Sequence, residues 1–124
     1  MGIFNKIFGE TKASETENRF WKNIESEKDL ERAIQESFSV TVVVFKHSTR
    51  CFISKTVLRN FEKEVMDSDK NISYYFLDLL AHRNLSDKVA ENLGVEHQSP
   101  QLIVIENGIA VKNASHQHIS LNLI

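Results

Sequence analysis

A single cysteine, Cys51, stands in a chain of 124 residues. No internal disulfide can form, and no multi-cysteine zinc or iron–sulfur site can be assembled within one copy. A lone thiol fits a reducing setting, so a cytoplasmic location is expected. Basic surplus is also missing: 15 Lys and Arg face 17 Asp and Glu, giving a net charge of −2. Nucleic acid, which calls for a strongly basic face, is excluded as the expected partner. No window approaches about 18 consecutive apolar residues, so no membrane span is expected. Five histidines are present, with His116 and His118 two apart and His47 four before Cys51. No His-Glu-x-x-His or Cys-x-x-Cys spacing accompanies them, and no metal is expected within the monomer. What is there suits one domain, with 41% hydrophobic residues to fill its core.

The opening MGIFNKIFGE is too short and polar for a signal peptide. Lys6 occupies the position where myristoylation wants Ser or Thr. Ile3, Phe4, Ile7 and Phe8 could share one face of a terminal turn, and residues 10–18 read as a polar linker. Residues 1–18 are therefore set apart from a domain over 19–124. Within it, Phe20 to Ile24 reads as a short edge strand. Ser26 to Ser37 reads as a helix with Ser26 as N-cap, Asp29 at the third helical position, and Leu30, Ala33 and Ile34 as its apolar stripe. Val40 to Phe45 is a β-branched run of the kind buried on both faces of a sheet. A helix from Cys51 to Met66 carries Ile53, Val57, Phe61 and Val65 at steps of four, expected as its buried stripe. Ile72 to Leu80 is a second strand. Leu85, Val89 and Leu93 mark a third helix, with Gly94 as its C′ residue. Gln101 to Ile105 and Ile109 to Val111 flank Asn107-Gly108, a strong hairpin signal. Ile119 to Ile124 is a short helix or a docked tail. The order is β-α-β-α-β-α-β-β-α, an α/β sandwich around a central mixed sheet.

Cys51 falls where a core strand hands over to a helix. At a helix N-terminus the first N–H groups lack partners and the macrodipole favours negative charge. A free thiol with pKa of about 8.5 is only about 3% thiolate at pH 7, and a fall of about two units makes it mostly thiolate. Lys46, His47 and Arg50 add positive charge close by in sequence. Cys51-Phe52-Ile53-Ser54 places a hydroxyl three residues on, on the thiol's face of the helix, where it can donate to the thiolate. Ser54 cannot form a disulfide, so the implied chemistry is monothiol exchange resolved by an external thiol. The competing reading of a lone cysteine, as a small buried hydrophobe, fits poorly with the polar and basic neighbours KHSTR. Pro100, the one proline, opens a core strand. It is either a tolerated first strand position or the site of a cis Ser99–Pro100 bond.

These features resemble the thioredoxin fold, and more narrowly the YtxJ-type monothiol bacilliredoxins, over Trp21 to Leu121. The stretch Phe45 to Ser54, Ser99-Pro100-Gln101, the Asn107-Gly108 turn, and Ala114-Ser115-His116 followed by Ile119 carry the resemblance. It implies a protein that uses Cys51 to take a low-molecular-weight thiol, bacillithiol or a similar one, from mixed disulfides with protein cysteines. Ser54, Arg50 and His47 would stabilise the thiolate. Thr49, Phe52, Ser99, Pro100, Ser115 and His116 would position the substrate, with Pro100 in a cis peptide across from the cysteine. No cofactor is implied beyond the small thiol as co-substrate. The partners are S-thiolated proteins, and a monomer or weak dimer is expected. The family usually has proline after its cysteine, where this chain has Phe52. Position 52 lies off the expected buried stripe, so an exposed aromatic in the substrate path is expected. The segment 115–118 is expected to help hold the small thiol.

Two other readings share the fold. A monothiol glutaredoxin-like iron–sulfur carrier would resemble Cys-Gly-Phe-Ser here, and this chain has no glycine at position 52 or 53. A non-catalytic interaction module would leave Cys51 with an ordinary thiol pKa.

Overall fold

The computed structural model describes residues 20–48 and 52–124. The expectations for residues 1–18, and for Thr49, Arg50 and Cys51, lie outside the described residues. In chain order the elements are β1 (Trp21–Asn23), α1 (Glu27–Glu36), β2 (Thr41–His47), α2 (Phe52–Met66), β3 (Ile72–Asp78), α3 (Arg83–Leu93), β4 (Gln101–Glu106) and β5 (Ile109–Ser115). Two 3-10 turns, His116–His118 and Leu121–Leu123, close the chain. The strands form one sheet in the order β1-β3-β2-β4-β5. β1 and β2 run parallel to β3, whereas β4 runs antiparallel to both β2 and β5. This is the mixed α/β sandwich expected from the element order.

β2 is the centre of the molecule because its residues are apolar on both faces. Val42, Val43, Val44 and Phe45 have no solvent exposure. Successive side chains alternate between faces. Val42 and Val44 join Leu30, Ala33, Leu85 and Val89 in the layer under α1 and α3. Val43 and Phe45 join Val57, Phe61 and Val65 under α2. Trp21 completes the α2 layer, packing on Phe45, Phe61 and Phe76 while its indole N–H donates to Glu62 at 2.7 Å. Full burial of one such side chain stabilises by roughly 1.5–3 kcal/mol.

Local signals set the ends. The Ser26 hydroxyl accepts the Asp29 N–H at 3.2 Å, and the Asp29 carboxylate accepts the Glu25 N–H at 2.9 Å. Gly94 closes α3 in the left-handed region at φ 64°. Asn107 and Gly108 turn the β4–β5 hairpin with φ 54° and 78°. That turn docks on the end of α1, where Ser37 accepts the Gly108 N–H at 2.8 Å.

Several boundaries differ from the sequence reading. β2 runs two residues further, through Lys46 and His47, because both still pair with Leu77 and Asp78 of β3. Polar side chains end the apolar signal there, while the backbone ladder continues. β5 likewise runs on to Ser115, opposite Gln101. β3 stops at Asp78, short of Leu80. Where the element order ended in a final α, residues 119–124 take the docked-tail alternative, with a 3-10 turn at Leu121–Leu123. Ile119 and Leu121 are buried against α2, and the Glu64 carboxylate accepts the Leu121 N–H at 2.7 Å. Among the described residues, no helix is long and apolar enough to cross a membrane.

Candidate functional site

The C-terminal end of β2 sends two polar side chains in opposite directions. Lys46 lies between Leu77 on β3 and Gln101 on β4. By the strand alternation it shares the face of Val42 and Val44, under α3. Its ammonium is fully buried and has no hydrogen-bond partner among the described residues. Burial lowers its pKa from the ordinary 10.5 to about 8, against the attraction of Asp87. Lys46 therefore lies on the face of the sheet opposite α2, and its distance from the thiol falls outside the described residues.

His47 points to the α2 side. It is 4% exposed, and its Nδ1 lies 2.7 Å from the Ser54 hydroxyl oxygen. Burial holds its pKa below 6.5, with Asp78 and Glu62 pulling the other way. Burial thus disfavours the charged imidazole, and His47 meets Ser54 as a hydrogen-bonding partner. Ser54 has no solvent exposure, and its Oγ also accepts the Ser48 N–H at 3.2 Å. One hydroxyl on the first turn of α2 thereby fastens both residues at the end of β2. Cys51 immediately precedes α2 in the chain, and the first turn of that helix contains no acidic residue.

Ser54 takes the place in the buried stripe expected for Ile53. The buried residues of α2 are Ser54, Val57, Phe61 and Val65, while Ile53 is 48% exposed. Steps of four overshoot the 3.6-residue turn, so the stripe drifts unless one step of three resets it. The step from Ser54 to Val57 does so. Phe52, 80% exposed, stands off the stripe.

Pro100 and His116 form the facing edge. The Ser99–Pro100 peptide is cis, Pro100 is buried and Ser99 is partly exposed. The Pro100 carbonyl accepts the His116 N–H at 3.1 Å. His116 follows Ser115 with φ 55°, in the left-handed region. Its side chain and Gln117 line one wall of a groove whose other wall is Phe52, Ile53, Thr56 and Asn60 of α2. The structure thus brings Phe52 and His116 to one groove, His47 to Ser54, and Pro100 to His116. Thr56 and Asn60 escaped the sequence reading. A signal for both existed: residues 52, 56 and 60 share a helix face.

A family profile described as Monothiol bacilliredoxin BrxC matches residues 22–124. Among solved structures, one described as an oxidoreductase candidate with a thioredoxin fold superposes with a TM-score of 0.74 at 32% identity, covering 84% of this chain and 89% of that one. Thioredoxin from Schistosoma mansoni superposes with a TM-score of 0.62 at 21% identity, covering 77% and 85% of the two chains. Malassezia sympodialis thioredoxin does so at 0.62 and 18% identity, covering 76% of each.

Proposed function

Since the chain belongs to the monothiol bacilliredoxin family, with a thioredoxin fold, we propose that it frees S-thiolated proteins of a bacillithiol-like thiol through Cys51. The Cys51 thiolate attacks the small thiol's sulfur in the mixed disulfide. That disulfide breaks, a new one forms between Cys51 and the small thiol, and the protein leaves as a thiolate that takes a proton from water. A second small thiol, as its thiolate, then attacks the small-thiol sulfur of the Cys51 adduct; the two small thiols leave as their disulfide and the Cys51 thiolate is restored.

One observation carries the reading: the sole thiol sits in sequence directly before α2, whose first turn holds no carboxylate and is pinned to β2 through Ser54, Ser48 and His47. A helix start with free N–H groups and no acidic competitor favours a thiolate beside it. Ser54 acts by fixing the strand-to-helix connection. Pro100 and His116, joined by a backbone hydrogen bond, form the edge against which the disulfide is set. The cytoplasm is the proposed location, where a single unpaired cysteine stays reduced.

The test is the return of free thiol on an S-thiolated protein mixed with the full chain and an excess of the small thiol. Release that requires Cys51 supports the proposal. Release at the same rate with Cys51→Ser refutes it. Absence of iron and colour in protein purified without air would set aside the iron–sulfur alternative.

A further inference from the structure

We propose that Gln101 and Lys46 are positioning residues for the exchange at Cys51: together they form a buried polar brace that holds the loop 96–100, and with it the Ser99–Pro100 edge. The proposal rests on the reading of Cys51 as the exchanging thiol.

Gln101 directly follows Pro100 and has no solvent exposure. Both ends of its amide are turned back onto the loop that leads into that proline. Its Nε2 donates to the Glu96 carbonyl at 3.0 Å, and its Oε1 accepts the Gln98 N–H at 3.4 Å. A second tie joins His97 Nδ1 to the Ser86 hydroxyl of α3 at 3.2 Å. On the other side, the Pro100 carbonyl is held by the His116 N–H. The edge is thus fixed from two directions, and Gln101 is the side chain that fixes the loop's half.

Lys46 is the register partner of Gln101 across β2 and β4. Val44 and Ile103 lie in the layer under α1 and α3, so by strand alternation Lys46 and Gln101 point there too. Side chains directly opposite on antiparallel strands have Cβ atoms about 4.5–5.5 Å apart. The Lys46 ammonium is fully buried and has no hydrogen-bond partner among the described residues. Such a cation is unfavourable for folding, yet its field acts on nearby amide and carbonyl dipoles more strongly than it would in water. Its neighbours on β3 and β4, Leu77 and Gln101, are uncharged. Asp87 of α3 attracts it. Its field reaches the loop: after burial, the Lys46 charge is the next cause that holds His97 below 6.5, with Arg83 adding to it and Asp87 opposing. The two effects of Lys46 therefore have opposite signs. Its charge weakens the fold while it steadies the loop.

Variants of the full chain test this. Lys46→Met should unfold at higher urea than the parent and yet react with a protein mixed disulfide roughly fivefold more slowly. Alkylation rate against pH should give it the parent's thiol pKa. Gln101→Met should speed hydrogen exchange at the Gln98 N–H about tenfold and slow the disulfide reaction by roughly as much. In the Cys51→Ser chain, where no thiol titrates, amide NMR shifts of residues 96–98 should step near pH 8, where the buried Lys46 amine loses its proton. Adding Lys46→Met should abolish that step. Parent-like disulfide rates in both variants would overturn the proposal. So would a slower Lys46→Met whose raised thiol pKa accounts for the whole change, because the charge would then act on Cys51 itself. Loop amides that titrate alike with and without Lys46 would overturn it too. If the parent does not exchange at all, the reading of Cys51 fails, and the loop measurements alone decide whether the brace exists.

Discussion

His47 Nδ1 and Ser54 Oγ lie 2.7 Å apart across the connection from β2 to α2, and both side chains are removed from solvent. The same oxygen accepts the Ser48 N–H. A single hydroxyl therefore ties the last residues of the central strand to the first turn of the helix that follows the thiol. Ser54→Ala leaves a buried imidazole nitrogen and a partly buried N–H without this partner, which should cost about 1–3 kcal/mol. Urea unfolding measures it. Exchange should also slow in the variant, because the connection that carries Cys51 loses its anchor. Unchanged stability and unchanged rate would reduce Ser54 to a filler of the stripe.

The same pair gives a pH dependence. Burial lowers the His47 pKa below 6.5 in the folded protein, so the unfolded chain binds this proton more readily. Stability from this group is complete above about pH 6.5 and declines as the pH falls below that value. The urea midpoint of the parent should fall more steeply from pH 7 to pH 5 than that of His47→Gln. Parallel curves would contradict the assignment. Nitrogen NMR at pH 7.5 should show Nδ1 unprotonated, accepting the Ser54 hydroxyl.

Lys46 predicts a trend of the same sign at the alkaline end. Its folded amine releases the proton at about pH 8, against 10.5 unfolded. Below pH 8 both states are protonated and the desolvation cost is at its full value. From pH 8 to 10.5 the unfolded chain holds more protons, so this group makes stability rise with pH. Lys46→Met should stabilise the protein by about 1–4 kcal/mol at pH 7 and remove that rise. A destabilised variant would show that the ammonium is held by more than the geometry indicates.

Much of this architecture was legible in the sequence, for reasons that differ by residue. Val42 to Phe45 announce a central strand because only burial on both faces tolerates such a run. Ser26 with Asp29, and Asn107 with Gly108, signal their turns through local chemistry. Lys46 and His47 fall outside the strand in the sequence reading because polarity ends the apolar signal, and their opposite facing follows only from strand register. The Ile53 error arose from counting steps of four on a helix of 3.6. The groove was invisible because Gln117 and Ile119 meet α2 through tertiary packing, which no spacing within either segment encodes.

Phe52 opens α2 and is mostly exposed. Proline suits that first helical position, since its missing N–H has no intrahelical partner and its φ is preset. Phe52→Pro should change folding stability by less than about 0.5 kcal/mol. Reaction with a protein mixed disulfide should change more than reaction with a small-molecule one. Alkylation rate against pH on the same variant separates the causes. If both substrates shift by one factor and the thiol pKa accounts for it, Phe52 tunes the thiolate and does not meet the substrate.

The central claim, transfer of a small thiol onto Cys51, is most directly tested by intact mass. The full chain is mixed with an S-thiolated protein in the absence of any other thiol, and both are weighed. The account predicts that the substrate loses the mass of one small thiol while this chain gains it on Cys51, with no transfer to Cys51→Ser. A substrate that keeps its small thiol while the parent chain stays unmodified would contradict it.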